Sequence, residues 1–238
     1  MIFTCACAVS TPDISIRSDG TRSDTLERPN TSQAHAAYLC LEEKIVSLAL
    51  LPGSALTEKQ IIEQVGLGRT PVREAIQRLS WEGLLEIVPR SGIRISDIRP
   101  EDYLRVLEPR LALEPIFAGK AARFADASHR ERLAECAGAM ETAARTADVP
   151  LFLKADKTFD AILETACANP FLGKMLSPLQ THSRRFWVRY SSDRDLGASA
   201  ALHVQVMKDI TRHDEAAAER SMTALMEALN SKARSLVR

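Results

Sequence analysis

Apolar residues recur at helical spacing from about residue 35 to the C-terminus, with one short interruption. The stretch 35–50 (HAAYLCLEEKIVSLAL) is amphipathic, offers Leu39, Ile45, Val46 and Leu50 to a core, and is broken by Pro52-Gly53. Thr57-Glu58-Lys59-Gln60 then forms a capping box ahead of Ile61, Ile62 and Val65, predicting a short helix that Gly66 ends. In GRTPVREAIQRLSWEGLLEI (68–87), Val72, Ala75, Ile76 and Leu79 share one face, while Thr70, Arg73 and Gln77 cluster opposite, with Glu74 and Trp81 beside them. Pro71 suits a first turn, where its missing N–H costs nothing. Gly68 and Thr70 compete as N-cap, Thr70 being the better capping residue, and Gly83 fits the left-handed position past the C-terminus. The period then shortens: Leu84–Val88 and Ile93–Ile95 read as strands joined by Pro89-Arg90-Ser91-Gly92. Two short helices joined through glycine, preceded by a third and followed by a hairpin, predict a winged helix-turn-helix over 35–98. The polar face of its arginine-bearing helix lies at the positive end of a helix dipole, which favours anions, and is shaped for a major groove.

From residue 99 to 238 the pattern is helical throughout: about 101–125, 128–146, 149–167, 170–190, 198–212 and 214–236. Asp148 before Val149-Pro150, Asn169 before Pro170 and Asp214 before Glu215 mark helix starts. Pro109, Pro115 and Pro178 lie inside helical patterns and predict kinks or breaks. The fold class is thus mainly α: a winged helix with a small β-hairpin, followed by an all-α bundle large enough to hold a core and a cavity. Several polar residues fall on the inward stripes. Asp156 falls inside the stripe of Phe152, Ala155, Phe159, Ile162, Leu163 and Ala166, and Asp160, four residues on, falls at its edge. His203 lies among Leu202, Val206, Met207 and Ile210. Arg110 and Glu114 sit between Leu107, Phe117 and Ala121, and His182 shares a face with Met175, Leu179 and Phe186. Unpaired charge in such places is costly, so these groups pair or bind something. An effector carboxylate matches Arg110 in bidentate fashion; the competing reading is that Glu114, four residues on, already holds it.

Composition narrows the picture only a little. The chain of 238 residues balances 31 Lys+Arg against 31 Asp+Glu, but 68–95 carries five arginines against three glutamates. A nucleic-acid binder needs only its contact surface to be basic, and salt should weaken such binding steeply. Five cysteines (Cys5, Cys7, Cys40, Cys136, Cys167) lack zinc spacing, and the N-terminus shows neither a positive leader region nor an apolar run long enough for a membrane, which fits a cytoplasmic location. Residues 10–34 are rich in Ser, Thr, Asp, Arg and Pro without periodicity, so 1–34 is expected to be a disordered tail. No HExxH, GxSxG, phosphate loop or complete GxGxxG is present, and the paired Glu-x-x-His motifs of di-iron bundles are missing, which leaves no enzymatic reading.

LPGSALTEKQIIEQVGLGRTPVREAIQRLSWEGLLEI at 51–87 resembles the GntR family of bacterial transcription regulators, whose pattern is PPGSxLxExxLxExxGVSRTPVREALxRLxxEGLV. The resemblance implies binding to a double-stranded, palindromic operator as a homodimer. It places Lys59, Arg69, Thr70 and Arg73 where relatives contact phosphates or bases, and Gly92 at a wing tip entering the minor groove; Gln77 joins Arg73 and Thr70 on the reading face. Gly68 departs from the usual Ser or Thr. The second half resembles, more loosely, the FadR-like (FCD) ligand-binding domain of these regulators: Glu108-Pro109-Arg110-Leu111-Ala112-Leu113-Glu114, Asp156-Lys157-Thr158-Phe159-Asp160, Asn169-Pro170-Phe171-Leu172 and Leu202-His203. Many members bind a divalent metal through one Asp and three His. Asp156 and His203 match; Asp160 stands at one His position and Leu225 at another. The resemblance therefore admits a degenerate metal site of Asp156, Asp160 and His203, with preference shifted toward harder ions. The alternative is a metal-free effector pocket in which Asp156 and His203 pair with each other or with an arginine. Together these features imply a ligand-responsive transcription regulator, more often a repressor, whose pocket of Arg110, Asp156, Asp160, His203 and, more weakly, His182 takes a small organic acid. The competing function is a DNA-binding adaptor whose helical half only dimerises or binds protein.

Overall fold

The structure, a computed structural model, describes residues 32–237; the tail expected at 1–34 lies outside them up to residue 31. Helix α1 (Gln33–Val46) begins where the Ser32 hydroxyl accepts from the His35 N–H, and it ends at Val46 rather than 50. There the Leu50 N–H turns back to the Lys44 carbonyl (2.9 Å), with Leu48 at φ 61°, which keeps Leu50 buried. Strand β1 (Ala55–Leu56) leads into α2 (Glu58–Val65), whose Thr57/Gln60 capping box forms as the spacing requires. Gly66 closes α2 in the left-handed conformation.

Helix α3 (Arg69–Trp81) buries Val72, Ala75, Ile76 and Leu79, the face its periodicity marks. Gly68, not Thr70, is its N-cap and makes no side-chain cap bond, so Thr70 sits inside the first turn with its side chain exposed. Gly83, at φ 75°, follows the last turn. Strands β2 (Leu85–Val88) and β3 (Gly92–Ile95) pair antiparallel, Val88 opposite Gly92, but the wing is more than a hairpin. β1 adds to the free edge of β3, Ala55 opposite Arg94, giving the order β1-β3-β2. Two residues carry no period, so the pattern alone misses this strand. Leu41, Ile45, Ile61, Leu79, Leu84, Leu85 and Ile95 fill the small core beneath, and burying each contributes about 1.5–3 kcal/mol.

Six helices complete the chain: α4 (Pro100–Phe124), α5 (Ala127–Thr146), α6 (Val149–Ala166), α7 (Pro170–Tyr190), α8 (Asp193–Thr211) and α9 (Glu215–Leu236). α4 runs through the middle against α9, α7, α6 and α8, and α5 packs across α6 and α8. Phe117, Met140, Phe152, Phe159, Met207, Met222 and Leu225 share one core. No proline breaks its helix: α4 continues through Pro109 and Pro115, and α7 through Pro178. An interior proline costs about 3 kcal/mol, an amount that burial of Leu107, Phe117 and Leu176 on the same helices offsets. α8 starts at 193 rather than 198, because the Asp195 carboxylate accepts from the Ser192 N–H (2.7 Å) and hydroxyl (2.9 Å) and pairs with Lys232 (3.0 Å).

Helix α7 faces two ways. Gln180, Ser183, Arg184 and Trp187 look into the bundle. Thr181, His182 and Arg185 reach the winged helix, where Thr181 bonds Glu42, His182 donates to the Glu82 carbonyl (2.8 Å) and Arg185 donates to the Ser96 carbonyl.

Candidate DNA-binding face and effector pocket

Thr70, Arg73 and Gln77 form an exposed stripe on α3, with Arg69 at its N-terminal end and Lys59 on α2. The capped turn at Gly66 and the buried stripe of α3 fix this face outward, so its cations are presented rather than packed. Glu58 organises two of them: its Oε1 accepts from Arg69 Nε (2.9 Å) and its Oε2 lies 3.5 Å from Arg73 Nε. Lys59 lies 3.8 Å from Glu63 with both side chains largely in solvent. Such exposed pairs contribute little stability and yield readily to phosphate. Gly92 is not at the wing tip. It opens β3 at φ 101°, and a Cβ there would lie 2.6 Å from the Leu56 carbonyl oxygen, so it is needed for close packing of β1 on β3. Arg90 and Ser91, exposed in the turn between the strands, form the tip.

In the bundle, Arg110 of α4, Asp156 and Asp160 of α6, Ser183 and Arg184 of α7, and His203 of α8 line one cavity, together with Phe152, Gln180 and Trp187. The space open to the centres of water-sized molecules is about 30 Å³, room for a water or two, because the side chains satisfy one another. Arg110 is held by Glu114 through Nε (2.9 Å) and Nη2 (2.8 Å) and also donates to Ser183; Gln180 donates to the same Glu114. The Arg110–Glu114 pair is therefore the arrangement present, with both side chains buried. His203 donates Nδ1–H to the Ser199 carbonyl (2.7 Å), and its Nε2 lies 3.0 Å from Asp156. Arg184 Nη1 bridges Asp156 (3.2 Å) and Asp160 (2.5 Å).

These contacts set the charges. Burial opposes ionisation of Asp156, but His203 and Arg184 outweigh it and hold its carboxyl well below the usual range. Burial and the adjacent Asp156 charge push Asp160 up to about 7 despite Arg184. Burial favours neutral His203, yet its hydrogen bond and attraction to Asp156 raise it above the ordinary histidine value. His182 does not belong to this cavity. It is turned toward Glu82 and Gly83 of the winged helix, and burial lowers its pKa. Leu225 is packed in the hydrophobic core, away from any ligand role. Nor do Asp156, Asp160 and His203 fit a divalent metal: the Arg184 guanidinium lies between the carboxylates, and among the described residues no three His, Cys, Asp or Glu side chains gather to hold an ion.

Comparison with known proteins decides the family. Residues 33–95 match the bacterial regulatory proteins of the gntR family, and residues 105–228 match the FCD domain, more than half of the chain. This chain belongs to the GntR family and carries an FCD domain. It is similar to a probable D-xylose utilization operon transcriptional repressor of Paenarthrobacter nicotinovorans, 30% identical over 171 residues that cover 72% of this chain and 75% of that protein. The HTH-type transcriptional repressor RspR of Escherichia coli K12 is 24% identical over 216 residues, 90% of this chain and 94% of RspR. In fold the chain resembles E. coli McbR/YncC, with a TM-score of 0.76, 18% identity, and coverage of 87% of this chain and 99% of that one. A GntR/FCD protein is a DNA-binding, ligand-responsive transcription regulator, and no helix among the described residues is long and apolar enough to cross a membrane.

Within this GntR/FCD regulator, the groups that sequence reading missed all touch α7. Arg184, Gln180 and Ser183 complete the pocket, and the spacing Gln180, Arg184, Trp187 does mark an inward stripe that His182 does not share. Glu42 of α1, 3% exposed, was invisible as a functional group, since a glutamate in an amphipathic helix normally faces water. It accepts from Thr181 (2.7 Å) and pairs with Lys157, while Arg184 Nη2 donates to the same Thr181 hydroxyl (3.2 Å). A hydrogen-bonded chain thus runs from His203 through Asp156, Arg184 and Thr181 to Glu42 in the winged helix. Asp160, Gln180 and Arg184 also line a wider cleft, about 630 Å³, that opens beside Tyr38, Glu42 and Arg78 of the head.

Proposed function

We propose that this regulator is a cytoplasmic homodimeric repressor that holds a palindromic operator through its winged helices and releases it when a small carboxylate occupies the bundle cavity. In this reading residues 35–98 bind DNA, and 99–238 bind the effector and dimerise. Arg73, Thr70 and Gln77 read base edges, Arg69 and Lys59 anchor phosphates, and the wing follows the minor groove through its tip at Arg90 and Ser91. Two copies are needed because one winged helix covers too short a site for strong specificity.

The observation that carries the effector reading is one constellation from four helices, with Arg110, Arg184 and His203 buried and Asp156 and Asp160 partly buried, bonded into the same helix that holds the head. A module that only dimerised would gain nothing from burying so many charges. An acid entering so small a cavity must exchange with an existing pair, and regulation follows if the exchanged state favours one arrangement of the heads. The test is a thermal-shift screen of small organic acids, with each hit carried into an operator gel shift using wild type and His203→Ala. We expect operator affinity without acid to be nearly unchanged in the variant and acid-induced release to be lost. Release with unchanged potency in His203→Ala would place the effector elsewhere, and light scattering that shows a monomer with and without operator would refute the dimer.

A further inference from the structure

Arg184 is 6% exposed and faces carboxylates on one side and a hydroxyl on the other. One terminal nitrogen, Nη1, reaches both Asp156 and Asp160, while the second oxygen of Asp156 lies 3.0 Å from His203 Nε2. The His203 ring is fixed from behind by its bond to the Ser199 carbonyl, the orientation a metal-bound imidazole also needs. Asp156 and His203 are therefore oriented as ligands, but the position in front of the two carboxylates is filled by a guanidinium belonging to the chain itself. Arg110, the other buried cation of the cavity, is engaged by Glu114 through two nitrogens and is not in that position. Arg184 also lines the outer cleft, so it stands on the boundary between the cavity and the route toward the head.

We propose that Arg184 is the resident cation of this effector site, standing where a divalent ion would, so that the site works without metal. The guanidinium pairs with the aspartates and presents a planar fork that suits an oxyanion. It differs from an ion in two respects: it cannot be removed by chelation, and it is covalently part of α7, the helix that holds the head. The inference rests on the effector-site reading, but its test is independent of any acid.

Metal uptake decides it. Purified full-length protein is dialysed against Zn²⁺, Ni²⁺ or Mn²⁺ separately, and bound metal is measured by atomic emission alongside the melting temperature. Wild type is expected to take up no stoichiometric ion and to melt at the same temperature with and without chelator. Arg184→Met and Arg184→Gln remove the guanidinium while keeping most of the stem. Either variant, once shown to be folded by circular dichroism, is expected to gain about one ion per chain with a metal-dependent rise in melting temperature, lost again when Asp156→Asn is added. A wild-type chain that holds one ion, released by Asp156→Asn, overturns the proposal and leaves the effector site standing. A folded Arg184 variant that gains no ion also overturns it. If neither variant folds, the wild-type measurement alone still decides.

Discussion

Replacing Glu42 tests whether the winged helix and the bundle are coupled by the contact that the structure places between them. Its Oε1 accepts from Thr181 at 2.7 Å, and its Oε2 pairs with Lys157. The Thr181 hydroxyl is fully buried, so Glu42→Ala removes its bond to a charged acceptor and leaves it only the longer contact to the Ser177 carbonyl (3.2 Å), costing about 1.5–3 kcal/mol. The Lys157 side chain is 44% exposed, so water and salt screen that pair and it adds less than about 1 kcal/mol. Together the loss is about 2–4 kcal/mol, concentrated at the junction of head and bundle. Glu42→Gln keeps an acceptor for Thr181 but sets an amide against Lys157, so about 1 kcal/mol is expected. Urea unfolding followed by circular dichroism, with hydrogen exchange resolved to α1, measures both. Wild type should unfold in one transition. Glu42→Ala should separate an early step, in which α1 amides exchange, from a later unfolding of the bundle. An unchanged single transition in Glu42→Ala, with α1 protected as in wild type, would refute the view that this carboxylate joins the two halves.

On the DNA face, Arg73→Ala is expected to cost about 1–3 kcal/mol in operator binding and relax sequence preference, whereas Lys59→Ala should weaken all sequences evenly and flatten the salt slope by about one unit; gel shifts across a salt series separate the two. Wild-type affinity in Arg73→Ala would remove that residue from base reading. The pH dependence of stability should carry the mark of Asp160. Its folded value of about 7 lies above its ordinary 3.8, so the folded state binds the extra proton between these values and stability falls as pH rises through that window, by up to about 1.4 kcal/mol per unit from this group. His203, raised above 6.5, acts in the same direction at higher pH, while Asp156, lowered below 3.8, acts only in more acidic solution. Asp160→Asn should therefore flatten the decline between pH 4 and 7 in urea melts, and an unaltered slope would contradict the assigned shift. Gly92→Ala should destabilise the head by about 1–3 kcal/mol, since it joins a left-handed φ with a 2.6 Å approach to the Leu56 carbonyl; a wild-type melting curve would show that β1 can move aside.

The sequence by itself determined the local order of this protein. The Thr57/Gln60 box, Gly66, the stripe Val72-Ala75-Ile76-Leu79 and Gly83 specify α2, α3 and their turn through bonds and faces a few residues apart, and periodicity carries that information. The same reasoning placed Asp156, Asp160, Arg110 and His203 on inward faces, where the structure has them. Only the tertiary structure decided their partners. Whether Arg110 is free or held by Glu114, whether His182 enters the cavity or turns to Glu82, and whether the aspartates meet an ion or Arg184 depend on how closely α4, α6, α7 and α8 approach. Two-residue β1 and the close contact at Gly92 likewise arise between segments distant in the chain. The proline-bearing helices make the same point: a local penalty of about 3 kcal/mol is overridden when packing on both sides of the proline buries several large side chains. Periodicity tells which way a side chain points, and the distance between helices decides what it meets.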